Sequence, residues 1–168
     1  MLRVQASTLR VTKMEGFARA TRTIDAVPSR VYSIIADYHF GHPAILPPKY
    51  FKKLEVLAGG TGAGTRVRGN VEVLGRRITF EHVVSEPEPG RTLVESDVTG
   101  SSTTHFIVDA IDSGLGTQIT IQTQFRTERE GLLGRIERWS TAATLKRIYE
   151  QELAILANHC KTIPMPAQ

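Results

Sequence analysis

The sequence predicts an α+β domain in which one antiparallel sheet packs against one long terminal helix. Three observations carry this. Between Phe51 and Phe125 six runs alternate apolar and polar residues with a period of two. Glycine- and proline-rich turns divide those runs: "GGTGAG", "LG", "EPEPG", "TGSS" and "DSGLG". From Glu130 to Cys160 the period lengthens to that of a helix and holds.

The elements follow in order. "GFARATRTIDA" reads as a first strand with Phe17, Ile24 and Ala26 on its apolar positions. Pro28 presets φ for a helix start, and Val31, Ile34, Ile35 and Tyr38 then recur at helical spacing. "HFGHPAILPP" leaves room for one short helical turn in a loop. The runs "FKKLEVL", "TRVRGNVEV", "RRITFEHVV", "RTLVESDV", "TTHFIVDAI" and "TQITIQTQF" follow, and their short connections imply an antiparallel meander. The order is thus a strand, short helices, six strands and a long helix. In the last segment Leu132, Ile136, Trp139, Ala142, Leu145, Tyr149, Leu153, Leu156 and Cys160 trace one apolar stripe. A helix over that span is roughly 45 Å long, and Pro164 and Pro166 prevent its continuation.

These elements make one domain over residues 14–160, flanked by a basic tail at 1–13 and a short C-terminal tail at 161–168. The chain has 168 residues, 40% hydrophobic and 23% charged, which are globular proportions. No apolar run approaches the ~20 residues of a membrane span, so no membrane insertion is expected. One cysteine, Cys160, excludes an internal disulfide and fits the cytoplasm. The net charge is +4, but Arg3, Arg10 and Lys13 lie in the tail and the other cations are scattered. Nucleic-acid binding wants them clustered and is not expected. The acid-free tail shares its composition with transit peptides; it reads as a basic tail, with Met14 an alternative start.

"GGTGAGTRVRG", residues 59–69, invites a phosphate-cradling reading. A P-loop needs Lys and then Ser or Thr after its last glycine, and a helix next. Here Thr65 and Arg66 follow and the chain alternates as a strand, so these glycines serve a turn.

The order of these elements, with "IDAVPSRVYSIIADY", "GAGTRVR", "VSEPEPGRTLVE" and "GTQITIQTQF", resembles the START-like (SRPBCC) superfamily of helix-grip proteins. In the first string members typically read Asp-Ala-x-x-x-x-Val-Trp-x-x-x-x-Asp. That superfamily includes polyketide cyclases, lipid-transfer domains and plant hormone receptors, and the resemblance runs from about Gly16 to Cys160. It implies a curved, seven-stranded sheet gripping the terminal helix around a cavity, no cofactor and no metal. A strongly bent sheet over one helix also cannot close at its centre on physical grounds.

Alternation sets Val67, Gly69, Val71 and Val73 inward, then Ile78, Phe80, His82 and Val84, then Ile119, Ile121, Thr123 and Phe125. Small inward residues such as Gly69, Thr123 and Ala142 would enlarge the void. On "RTLVESDV" either Val94, Ser96 and Val98 or Leu93, Glu95 and Asp97 face inward. The first set is favoured, because burying two carboxylates is costly without partners. Thr104, Phe106 and Val108 are taken as inward on the next run. The expected ligand-contacting set is therefore Tyr38, Phe40, Val67, Gly69, Val71, Phe80, His82, Ser96, Thr104, Phe106, Ile121, Thr123, Trp139 and Tyr149. His82 is either a hydrogen-bonded core residue or the best candidate for a general acid/base, since imidazole titrates near neutrality. Trp139 and Tyr149 are either core or cavity wall. His39 and His42 read as exposed loop histidines rather than a metal pair. Gly131 and Gly134 weaken the start of the terminal helix, consistent with a gate beside Phe40 or with simple fraying.

Three functions remain open. The leading one is a carrier or receptor for a small hydrophobic ligand such as a lipid, isoprenoid, quinone or polyketide, as a monomer or homodimer. The second is a cyclase/dehydratase-like enzyme using His82, with Tyr38 or Tyr149 in support. The third is an interaction module whose outer sheet face, with Arg66, Arg68, Arg76 and Arg77, meets an acidic partner.

Overall fold

The structure, a computed structural model, describes residues 14–73, 75–127 and 129–162. The expected basic tail at 1–13 and the helix-stopping Pro164 and Pro166 lie outside the described residues.

The chain opens with β1 (Met14–Ile24), which leads into α1 (Pro28–Ala36) and α2 (Gly41–Ile45). Six strands follow: β2 (Phe51–Ala58), β3 (Arg66–Val73), β4 (Arg76–Glu88), β5 (Thr92–Asp97), β6 (Ser102–Ile111) and β7 (Gly116–Thr127). The last element is α3 (Gly131–Thr162), which runs past the expected end at Cys160. The seven strands form one sheet in the order β1-β7-β6-β5-β4-β3-β2, with every pair antiparallel. α1 and α2 thus carry the chain from one edge of the sheet to the other, and the meander returns it to β1.

Register shifts between Phe51 and Lys53, Val56 and Ala58, and Ser85 and Glu88 bend the sheet where strands would otherwise stay flat. The glycine-rich stretch is the corner between β2 and β3. Gly60 and Gly62 take φ of +131° and +58°, which other residues rarely adopt. Glu86 fastens this corner to α1 by accepting the Ala63 N–H at 2.7 Å and the Tyr32 hydroxyl at 2.5 Å.

The concave face holds the core. Ile148, Leu153, Leu156 and Cys160 of α3 pack in one cluster with Ala18, Ala20, Ile119 and Ile121. On β1 the inward residues are Ala18, Ala20 and Ile24, whereas Phe17 points out and is half exposed. The buried part of the α3 stripe also begins later than its spacing implied. Leu132, Ile136 and Trp139 are exposed, because periodicity places residues on one face without supplying anything to cover it. At the start of α3, Gly131 has φ of +68°, and a side chain at Gly134 would overlap the Arg129 carbonyl. Gly134 is therefore required by a close approach.

On the outer face, the Arg66 and Arg68 guanidiniums both grip Glu81, with Arg66 Nε at 2.6 Å and Arg68 Nη2 at 2.9 Å. Part of the expected basic face is therefore already paired.

Candidate functional site

Between α3 and strands β2 to β7 lies a cavity of about 630 Å³, within the range of small-molecule sites. Val71 and Ile78 of the β3–β4 hairpin, Val98 after β5, and Glu137 and Thr141 of α3 frame its outer part. Ile78 and Val98 are half exposed, so the cavity reaches the surface there. Its inner end is formed by His42, Glu95, Phe106, Tyr149 and Glu152, all buried. Val67, Val71, Ile78 and Phe80 give the cavity an apolar wall along β3 and β4, and its floor is polar.

Local sequence explains how the floor is built. The Asp37 carboxylate accepts the backbone N–H groups of His39 at 3.0 Å, Phe40 at 3.2 Å and Gly41 at 3.2 Å. That cap starts α2, and a Cβ at Gly41 would meet the Ile34 backbone, so the helix sits tightly against α1. As a result Tyr38 and His42 turn inward and stack, with ring centroids 4.5 Å apart and planes 12° apart.

Both meet the β5 carboxylate. The Tyr38 hydroxyl donates to Glu95 Oε1 at 2.6 Å. His42 donates its Nδ1–H to the Ile35 carbonyl at 2.7 Å and faces Glu95 Oε1 with Nε2 at 3.6 Å. His82 of β4 brings Nδ1 to 3.4 Å from Glu95 Oε2, close enough for charge attraction but without hydrogen-bond geometry. Its other nitrogen lies 4.0 Å from Asp97 Oδ2. Burial alone would push the Glu95 carboxyl up. The contact with His82, the charges that His42 and His82 carry when protonated, and the Tyr38 hydroxyl outweigh burial and hold it at about 2. For His82, burial works downward but Glu95 and Asp97 prevail, so its affinity for a proton is raised.

The opposite wall is different. Tyr149 joins its hydroxyl to Thr123 Oγ1 at 2.5 Å, and Thr123 in turn meets Thr104 Oγ1 at 2.8 Å. Glu152, one helical turn on, is 2% exposed and its Oε1 has no hydrogen-bond partner. Burial, then the neighbouring Glu95 charge, raises its carboxyl well above the ordinary range. The floor thus places an ionised carboxylate held by three partners beside a carboxyl that favours its neutral form.

Of the residues singled out in the sequence, Val67, Val71, Phe80, His82, Thr104, Phe106, Thr123 and Tyr149 border the cavity. Tyr38 stands behind Glu95 and acts through it. The others fall elsewhere. Gly69 lies beneath the Phe80 ring, which fills the space its missing side chain leaves. Ile121 is sealed in the core, whereas Phe40 is 81% and Trp139 74% exposed, away from the cavity. Ser96 belongs to the opposite face of β5, because Leu93, Glu95 and Asp97 are the inward set. The expected cost of two inward carboxylates is met here by partners: Tyr38, His42 and His82 for Glu95, and for Asp97 the Thr99 N–H at 2.8 Å. His42, read as an exposed loop residue, is 3% exposed. Glu152 was missed because a single acid inside an apolar stripe looks like an interruption of it. Its spacing of three from Tyr149 and four from Leu156 was the available signal.

No three His, Cys, Asp or Glu among the described residues are arranged to hold a metal ion. No described helix is long and apolar enough to cross a membrane.

The profile of the polyketide cyclase/dehydrase and lipid transport family matches residues 18–161. The chain belongs to this family. Solved structures with the same fold include the KanY protein, 26% identical with a TM-score of 0.74, the match covering 89% of this chain and 98% of that one. The Zhui aromatase/cyclase from Streptomyces is 21% identical with a TM-score of 0.69, covering 88% and 94%. Norcoclaurine synthase from Thalictrum flavum, solved with dopamine and hydroxybenzaldehyde, is 13% identical with a TM-score of 0.69, covering 99% and 98%. No curated protein matches the chain in sequence. The helix-grip architecture, START-like in kind, is thereby shared with proteins built around a ligand-binding cavity.

Proposed function

We propose that this protein binds one small, largely apolar ligand in the cavity, as a carrier or receptor. The observation that carries this reading is the cavity itself: about 630 Å³, with an apolar wall of Val67, Val71, Ile78, Phe80 and Val98. Burying apolar ligand surface there would stabilise the complex by about 25 cal/mol per Å². The polar floor would fix which end enters first. Native mass spectrometry of the protein purified from its source should show a bound species of a few hundred daltons that denaturation releases. A protein that is empty as purified and takes up no member of a lipid, isoprenoid and quinone panel would end the proposal.

A second reading, a cyclase/dehydratase-like enzyme, draws on the pairing of His82 with Glu95 and on the buried carboxyl of Glu152, whose hold on a proton burial strengthens. In that scheme His82 removes a proton from a carbon between two carbonyls. The resulting enolate attacks another carbonyl of the substrate chain, and Glu152 protonates the new alkoxide. The Glu152 carboxylate then removes the remaining α-proton while protonated His82 gives its proton to the departing hydroxyl, which releases water and restores both groups. His82→Ala separates the two readings. It should abolish turnover of a poly-β-keto substrate while weakening retention of the co-purifying ligand only a few-fold. Turnover that survives the substitution would remove His82 from the chemistry.

A further inference from the structure

Among the described residues, Glu152 is the floor carboxyl with an oxygen that has neither a hydrogen bond nor an opposite charge beside it. His82 Nδ1 has the Glu95 charge, and Glu137 Oε2, also without a hydrogen bond, lies at the mouth. Glu95 has Tyr38 and His42 at Oε1 and His82 at Oε2. His42 has the Ile35 carbonyl, and Tyr149 has Thr123. Glu152 borders the cavity, is 2% exposed, and leaves Oε1 without a partner. Resting on the reading that the cavity takes a small apolar ligand, we propose that Glu152 is its recognition group, donating a hydrogen bond to an uncharged acceptor, such as a ketone or quinone oxygen, at the ligand's buried end.

The argument is one of charge and donor count. The groups facing Glu152 are Glu95 from β5, Tyr38 from the loop before α2, and Tyr149 one turn earlier on α3. None supplies a cation to Glu152 directly, and the two nearby imidazoles are turned to Glu95. A buried carboxylate lacking a cation, beside a second carboxylate, is the costlier form, so the group keeps its proton. A carboxyl with its proton is a donor, and a buried donor without an acceptor is costly until something fills the place. A ligand ketone or quinone oxygen supplies that acceptor. A ligand carboxylate does not, because its charge would meet Glu95. This inverts the usual expectation for a lipid-sized cavity: fatty acids and other free acids would be rejected, and neutral carbonyl compounds kept. A ligand ammonium gains little, because the Glu95 carboxylate is already engaged by Tyr38, His42 and His82.

Four fluorescent probes of matched size test this: 2-acetylanthracene, 2-ethylanthracene, 2-anthracenecarboxylate and 2-(aminomethyl)anthracene, titrated against the whole chain at neutral pH. The acetyl compound should bind about tenfold tighter than the ethyl one, as one buried hydrogen bond allows, and the carboxylate more weakly than either. In Glu152→Leu, which keeps the volume and removes the donor, the acetyl-to-ethyl ratio should fall to about one. Glu152→Gln, whose amide still donates, should keep most of the preference. Equal binding of the acetyl and ethyl probes, a preference for the carboxylate or the amine, or an acetyl preference surviving in Glu152→Leu would overturn this inference while leaving the cavity reading intact. Binding of none of the four would overturn the cavity reading and this inference together.

Discussion

The two halves of α3 carry the same apolar spacing and have opposite fates. From Ile148 to Cys160 the stripe is core, with Leu153 at 1% and Leu156 at 0% exposure. From Leu132 to Trp139 it is bare, with exposures of 53% to 74% on Leu132, Ile136 and Trp139. Between them, around Thr141, Leu145, Tyr149 and Glu152, the helix faces the cavity. A helical period therefore says which residues share a side; the sheet opposite decides which of them are buried. It also follows that the cavity is bounded on one side by close-packed core. A ligand would meet close-packed structure at the Glu152 end and the opening at the Ile78 and Val98 end.

The largest effect expected from this contrast is in the buried half. Leu156→Ala leaves a void in the cluster with Ile119 and Ala20 and should cost about 2–5 kcal/mol. The drop should appear as a lower urea midpoint with an unchanged slope. A loss under 1 kcal/mol would mean that the cluster is looser than its burial implies.

Next in size come the two floor carboxyls, which should tilt the pH profile of stability in opposite directions. Glu95 is held at about 2, below its ordinary 4.5, so its contribution is present above pH 4.5 and is lost as the pH falls toward 2. Glu152 is raised above its ordinary 4.5, so its contribution is complete below that pH and is lost as the pH rises through its folded value. Calorimetric melting across pH should show Glu95→Gln flattening the acid limb and Glu152→Gln raising the neutral-to-alkaline limb, each by a few degrees. Glu152→Gln melting lower than the parent at pH 8 would mean that Glu152 is paired and charged there.

Much of the fold could be read from the residues, and less of the site. Alternation and turn glycines mark β3, β4, β6 and β7, and His82 with Phe80 and Thr123 follow from it directly. β5 could not be read the same way. Leu93-Glu95-Asp97 and Val94-Ser96-Val98 alternate equally well, and the choice turns on partners that no single strand displays. Those partners, Tyr38 and His42, lie more than fifty positions earlier in the chain and are turned inward by the Asp37 cap. Gly69 misled for a related reason. A small residue leaves a space, but its cross-strand neighbour Phe80 occupies it. What escaped at β5 and at Gly69 was in each case a contact between strands or segments that no single element displays.

The smallest expected effect sharpens the comparison at its other end. Trp139 is the largest apolar side chain in the bare half of α3 and is 74% exposed. An exposed position away from packing contacts changes stability by no more than about 0.5 kcal/mol on substitution. Trp139→Ser should therefore leave the urea midpoint nearly where it was, while Leu156→Ala moves it far. Because Trp139 does not border the cavity, Trp139→Ser should also leave the acetyl-to-ethyl probe ratio in place. A Trp139→Ser protein destabilised by 2 kcal/mol or more would show that this end of the helix is covered in solution, and the two halves of α3 would then be alike.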